Sequence, residues 1–375
     1  MKIEFGKFLL NDSSKRHLEE VFQSNWFTQG PKVREFETRF AGILKAPHCR
    51  MVSSGTTADT IACMTLYEHG AKQGDEIICP ALSFIATANS IRLAGFVPIF
   101  VDIKGGDDMN IDVNHIEKAI TNKTRAIMAV NLMGRPADLD IIQDIALRHN
   151  LKVIVDGCES YGCTYKGKPS LAYGDFETTS HFTAHICMVG GESGCVLTKD
   201  YENDKLVEAI RSHGRLGGSL FFDHPIFGLN GKSSDLYAAI GLGELDLFWE
   251  NFYIRRSNII YFYESLKEYS DLVWMNQPDD DIRFNAPHAF SVVFKRPENA
   301  IAFKEHMDEA EIHIKKNFGS MPSHGAFKYL QNGAFPVAEY CGNNGWHWGC
   351  HRYLSNLDLE YIVDSVKESF SRMTV

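Results

Sequence analysis

EIICP (76–80), ATANSIRLAG (86–95), VPIFVDI (97–103), RAIMAVNLM (125–133) and KVIVD (152–156) follow one another along a single stretch of the chain. Four of these runs are short, apolar and rich in β-branched residues, as buried strands are. Between them lie segments of helical spacing: 86–95, then 112–119, then 139–149. Short apolar strands separated by helices indicate a parallel α/β sheet, because only a crossover helix returns the chain to start the next parallel strand. In such sheets ligands bind beyond the carboxyl ends of the strands. Pro80–Phe84, Asn131, Asp156–Glu159 and the loop around His185 should therefore meet on one edge.

Working outward, MVSSGTTA (51–58) runs from a strand end through Ser54, Gly55 and Thr56 into an apolar helix. The first N–H groups of a helix have no partner of their own and face the positive end of its dipole, so this turn suits an anion. A plain N-cap by Ser54 or Thr56 explains the same residues equally well. It is not a Walker loop, since no GK[ST] follows. Downstream, ETTSHFTAHICMVGGESGCVLT (177–198) reads as a strand, a turn with His185, a loop with Gly190, Gly191 and Gly194, and a strand from Cys195. Toward the N-terminus, 12–24 reads as a helix capped by Asp12 or Ser13, and 34–44 as a second helix. Beyond Asp200 come helices to Arg211, over 235–247 and over 254–270. HAFSVVFK (288–295) alternates like an edge-exposed strand, and amphipathic helices follow over 300–310 and 357–373. The chain divides into a large unit, 1–250, and a small C-terminal unit, 251–375.

Composition narrows the function. A net charge of −10 argues against a nucleic-acid partner, and no apolar run reaches membrane-spanning length. Nine scattered cysteines suit reduced thiols, so a cytoplasmic setting is expected. No C-x-C spacing suggests an iron–sulfur cluster. His347 and His351, with Cys341 and Cys350, match no zinc pattern, and no metal site is expected.

An anion cup at 54–56, an aromatic at Phe84 and a carboxylate at Asp156 are what a phosphorylated heteroaromatic ring requires. The carboxylate would keep a ring nitrogen protonated and electron-withdrawing. Taken alone, Asp156 is equally readable as a turn residue and Glu159 as a solvated carboxylate.

These motifs, with WFTQGPKVREFETRFA, GDEIICPALSFIATAN, NLMGRPADLD, VDGCESYGCTYKGK, TSHFTAH, GGESGCVLT, RSHG and the final NNGWHWGCH, resemble the DegT/DnrJ/EryC1/StrS sugar aminotransferase family along nearly the whole chain. The resemblance implies the aspartate aminotransferase type I fold, with a mostly parallel seven-stranded sheet and a smaller C-terminal α/β domain. It implies pyridoxal or pyridoxamine 5′-phosphate, with the phosphate on Gly55, Thr56 and Ser180 and Phe84 stacked on the ring. Asp156 would meet the ring nitrogen, Glu159 would lie near the ring hydroxyl, and Asn230 would reach the phosphate of the other subunit of a homodimer. His213 and Lys316 match positions facing the substrate.

His185 stands where the family's aminotransferases carry the lysine that binds the cofactor covalently. In this it resembles the family's 3-dehydratases, above all those acting on GDP-4-keto-6-deoxy-D-mannose in the colitose pathway of O-antigen synthesis. That implies a dehydratase that removes the C3 hydroxyl of a 4-keto-6-deoxy nucleotide sugar, with L-glutamate as amino donor and His185 as base. The alternative is an aminotransferase acting on a keto or aldehyde sugar, with another lysine in use or its own replaced at 185. A third reading is a retired enzyme that binds cofactor or nucleotide sugar as a regulator.

Overall fold

The computed structural model describes residues 2–216, 223–330 and 333–373. The apolar runs form a seven-stranded sheet of β1 (His48–Val52), β2 (Glu76–Pro80), β3 (Val97–Val101), β4 (Thr124–Val130), β5 (Lys152–Asp156), β6 (Phe176–Ser180) and β7 (Gly194–Thr198). Its order is β1-β7-β6-β5-β4-β2-β3. β7 pairs antiparallel with both neighbours, while the pairs from β6 to β3 are parallel, so one strand alone runs against the rest. The buried runs such as Val153–Asp156 reflect helices packed on both faces, the setting in which parallel strands lose their polar alternation.

The expected helices form with modest changes at their ends. The first, Asp12–Ser24, is capped by Asn11 rather than by Asp12 or Ser13, because the Asn11 carboxamide oxygen accepts the Ser14 N–H at 2.8 Å. The second begins at Pro31, where a missing N–H costs nothing.

A second sheet holds β8 (Val273–Met275), β9 (Ala289–Phe294), β10 (Ile314–Lys316) and β11 (Gly345–Gly349), in the order β8-β9-β11-β10. Here one expectation fails. The 288–295 run is not an edge: β9 lies between β8 and β11 and is buried at every position. Its polar residue, Ser291, is buried without penalty because the Asn317 carboxamide donates to its hydroxyl at 2.7 Å.

The helix Phe248–Leu266 joins the two cores, with Phe248 and Phe252 in the first and Ile259, Phe262 and Leu266 in the second. The N-terminal segment straps across the second sheet. Ile3 bridges to Ile312, and a Cβ at Gly349 would lie 1.8 Å from the Phe5 carbonyl oxygen, so only glycine admits this crossing. Among the described residues no helix is long and apolar enough to cross a membrane.

Candidate active site

A cavity of about 430 Å³ opens at the carboxyl edge of the large sheet, walled on its far side by the second sheet. Its floor is the turn after β1. The Ser54 hydroxyl accepts the Thr57 N–H at 3.1 Å and caps the helix Gly55–Met64, leaving the first-turn N–H groups toward the cavity. A Cβ at Gly55 would stand 2.8 Å from Cβ of Ser180, so glycine is what lets this turn approach the end of β6. Gly55, Thr56 and Ser180 line the cavity together.

Asp156, which also lines the cavity, closes β5. The Thr87 hydroxyl donates to its Oδ2 at 3.1 Å and the Cys158 N–H to its Oδ1 at 3.2 Å. Burial raises its pKa. Phe84 also lines the cavity and is 57% exposed, with its nearest aromatic neighbour, Phe318, only edge-on at 6.0 Å. An aromatic of that size left uncovered within a cavity has a face available for stacking.

Glu159 is fixed by the turn after β4. The Met133 N–H donates to its Oε2 at 2.7 Å. Met133 holds φ 53° and Gly134 φ 83°, a left-handed pair that a non-glycine residue adopts only when its surroundings impose it. Burial lifts the Glu159 carboxyl to about 8, so it is mostly protonated at neutral pH.

His185 follows β6 in a turn closed by its N–H to the Phe182 carbonyl at 2.9 Å. Its Nδ1 is buried with no partner in the chain, which is costly unless a ligand supplies one. Burial, reinforced by the Arg255 guanidinium, pushes its pKa down to about 3, so the imidazole is a neutral base. Arg255 also organises the surroundings. It donates to the carbonyls of Ala184 at 3.0 Å, Pro287 at 2.9 Å and His288 at 2.7 Å, tying the His185 turn to the second sheet.

Not every expected residue reaches the cavity. Lys316 does line it, as an exposed side chain. His213 is exposed, in the left-handed region at φ 65°, with its N–H bound to the Leu229 carbonyl. Asn230 is exposed and bridges Ser212. Neither lines the cavity of this one chain. Asn131 turns away, donating to Ser170 at 3.1 Å and accepting the Ala137 N–H. His347 lines the cavity but its Nδ1 meets the Asn317 carboxamide, and His351, outside the cavity, meets the Glu4 carbonyl.

Among the residues beyond the sequence reading that also line the site are Asp59, His288 and Lys315. The signal for Asp59 was a lone carboxylate in the otherwise uncharged helix GTTADTIACM. For His288 and Lys315 there was none, since they arrive from the second sheet. Burial lowers the Lys315 pKa, and its ammonium sits 4.1 Å from the Phe5 ring centroid.

The donor set fits a phosphorylated pyridine: helix N–H groups at the Gly55 turn, an uncovered aromatic, and a buried carboxylate that a cationic partner would return toward its ordinary range. The sequence signature of the DegT/DnrJ/EryC1/StrS aminotransferase family matches residues 10–367. The chain belongs to that family. It is thus an enzyme of the pyridoxal-phosphate-dependent sugar aminotransferase and dehydratase group, with the aminotransferase-type fold. It is 32% identical to a GDP-perosamine synthase of Escherichia coli O157:H7, over 96% of this chain and 97% of that one. To a GDP-4-keto-6-deoxy-D-mannose 3-dehydratase of Escherichia coli O55:H7 the identity is 28%, over 95% and 97%. A crystal structure of GDP-4-keto-6-deoxymannose-3-dehydratase with a trapped PLP-glutamate geminal diamine superposes with a TM-score of 0.85 at 25% identity, over 97% of this chain and all of that one.

Proposed function

We propose that this family member is a cytoplasmic 3-dehydratase acting on a 4-keto-6-deoxy sugar carried on a nucleotide, with glutamate as amino donor. The observation that carries this reading is His185, a neutral imidazole with an unpartnered Nδ1, standing where the family's aminotransferases have lysine. An imidazole cannot bond covalently to an aldehyde cofactor as lysine does, but it can carry a proton.

Gly55, Thr56 and Ser180 would hold the cofactor phosphate, Phe84 its ring face, Asp156 its ring nitrogen and Glu159 its hydroxyl side. When bound, the cofactor supplies an electron sink that makes a proton at its reactive carbon removable. His185 takes that proton at Nδ1 and returns it to the departing hydroxyl, so the imidazole ends neutral. Glu159, protonated, donates rather than repels. Lys316 would meet the anionic part of the substrate, and His213 the substrate region from outside the cavity. We further propose a homodimer in which Asn230 completes the partner's site, and a functional division into 1–250 and 251–375 with the cavity between them.

A second reading, an aminotransferase, is favoured by one observation. Lys315 lines the cavity and its pKa is lowered, which makes an amine more nucleophilic. The GDP-perosamine synthase relative supports the same reading.

The test is absorbance and intact mass of the protein with pyridoxal phosphate, before and after borohydride, followed by glutamate and a 4-keto sugar. Free-aldehyde absorbance, an unmodified mass, conversion by glutamate and release of a deoxysugar with ammonia are expected. A borohydride-fixed cofactor and an amino sugar as product would select the aminotransferase.

A further inference from the structure

Asp59 is fully buried, yet it lines the cavity. The Thr178 hydroxyl donates to its Oδ1 at 2.6 Å, while its Oδ2 has no partner in the chain. Carboxylate oxygens of Asp59 and Asp156 and the Cys158 sulfur lie within 4.8 Å of one another. The groups that act on Asp59 are acidic or neutral: Asp156 at the end of β5, Cys158 just beyond it, Thr178 on β6, and Cys63 one turn along its own helix. No cation enters its surroundings among the described residues.

Two carboxylates this close, both out of water and without a cation, cannot both carry charge. One must keep a proton. The geometry decides which. Asp156 accepts two hydrogen bonds, from Thr87 and Cys158, as an anion requires. Asp59 accepts one, and its Oδ2 meets no donor, so a proton on that oxygen displaces no hydrogen bond and is free to turn toward Asp156.

We propose that Asp59 is a neutral carboxylic acid that positions Asp156, so that the partner of the cofactor's ring nitrogen is a two-carboxyl unit holding one proton. This rests on the cofactor reading above insofar as Asp156 faces the ring nitrogen. The Asp59 O–H is directed at the Asp156 side of the cavity, stabilises the anion there and lowers the basicity of Asp156. It also removes the repulsion that a second charge would bring. Burial and the Asp156 charge both raise the Asp59 pKa, in keeping with the proton's residence there.

Two measurements test this. The first is infrared difference spectroscopy of cofactor-free protein at neutral pH, wild type against D59N, which subtracts Glu159 and also Glu177 on β6, a buried carboxyl that burial lifts to about 7. A protonated-carboxyl band present in the wild type and missing in D59N is expected. Its absence from the difference overturns the proposal. The second is binding of pyridoxamine phosphate against pH, in wild type, D59N and D59L. Binding is lost on the acid side as Asp156 takes a proton. Removing a donor raises the Asp156 pKa, so the acid limb of D59L should lie about one pH unit above that of wild type and of D59N, whose amide still donates. Were Asp59 ionised, both substitutions would remove a like charge and move the limb to lower pH. If no variant binds pyridoxamine phosphate, the cofactor reading fails, while the infrared result still decides the state of Asp59.

Discussion

Nε2 of His288 lies 3.4 Å from Oε1 of Glu159. It is not an ion pair. Burial pushes the Glu159 carboxyl up to about 8 and the His288 imidazole well below its ordinary range, so both partners are neutral at physiological pH. The His288 ring in turn sits with its centroid 5.2 Å from that of His185, at 39°. A neutral carboxyl, a neutral imidazole and a neutral base thus stand together in the cavity, with the Arg255 and Lys315 charges acting on both imidazoles.

The Glu159 carboxyl predicts a pH dependence of stability. Its pKa rises on folding from an ordinary 4.5 to about 8, so the contribution it makes while protonated is present below that ordinary value. It is lost as pH climbs through the folded value. E159Q keeps the shape and cannot ionise. The melting temperature of cofactor-free wild type should therefore fall relative to E159Q between about pH 5 and pH 8, with little difference below that window. Parallel curves would mean that Glu159 titrates normally.

The His185 imidazole, held near 3, predicts a flat profile where a free histidine would titrate. In single-turnover conversion of the cofactor by glutamate, the rate should not decline between pH 8 and pH 6. H185N should lose roughly a hundredfold to ten-thousandfold in that step, the worth of a positioned base, with cofactor binding retained. A bell with its acid limb near the ordinary imidazole value would show a solvated His185.

Gly55 and Phe84 separate binding from folding. A Cβ at Gly55 meets Cβ of Ser180 at 2.8 Å, against a strand end that cannot easily yield. G55A should lose cofactor affinity and cost about 1–3 kcal/mol of stability, the range for overpacking. Phe84 is largely uncovered and supports little of the core. F84A should weaken cofactor binding by two- to tenfold, the scale of one aromatic contact, and leave stability within about 0.5 kcal/mol of wild type. The fluorescence titration and the denaturation curve should thus respond differently in the two variants.

Gly55, Phe84 and Asp156 were legible because each stands at a strand end or helix start, and local pattern fixes where those ends lie, whereas Ser180 came only from the family resemblance. His288 and Lys315 were not, because they reach the cavity through the pairing of the second sheet, which no local periodicity records. The 288–295 strand was misread for a related reason. Ser291 looks like a solvent-facing residue until Asn317, 26 positions away, supplies its hydrogen bond. Asp59 was visible as the one charge in its helix, but which neighbour it would face depends on how β5 and β6 pack against that helix.

Arg255 offers the severest test of how the two sheets are held at the site. It is buried, and its guanidinium satisfies three carbonyls, of Ala184, Pro287 and His288. R255L strands all three, and at about 1–3 kcal/mol for each unpaired buried group the loss, partly relieved by entering water, should be about 3–5 kcal/mol. R255K keeps the charge but not the planar fork, and should fall between. The charge has a separate effect, since it lowers the pKa of both His185 and His288. In folded R255L the His185 limb should therefore move to higher pH, while in R255K it should stay low. Denaturant midpoints read the first effect and the pH profile of the glutamate half-reaction the second. Equal midpoints in all three chains would falsify the bracing role, and an unmoved limb in R255L would mean that Arg255 braces the turn without tuning the base.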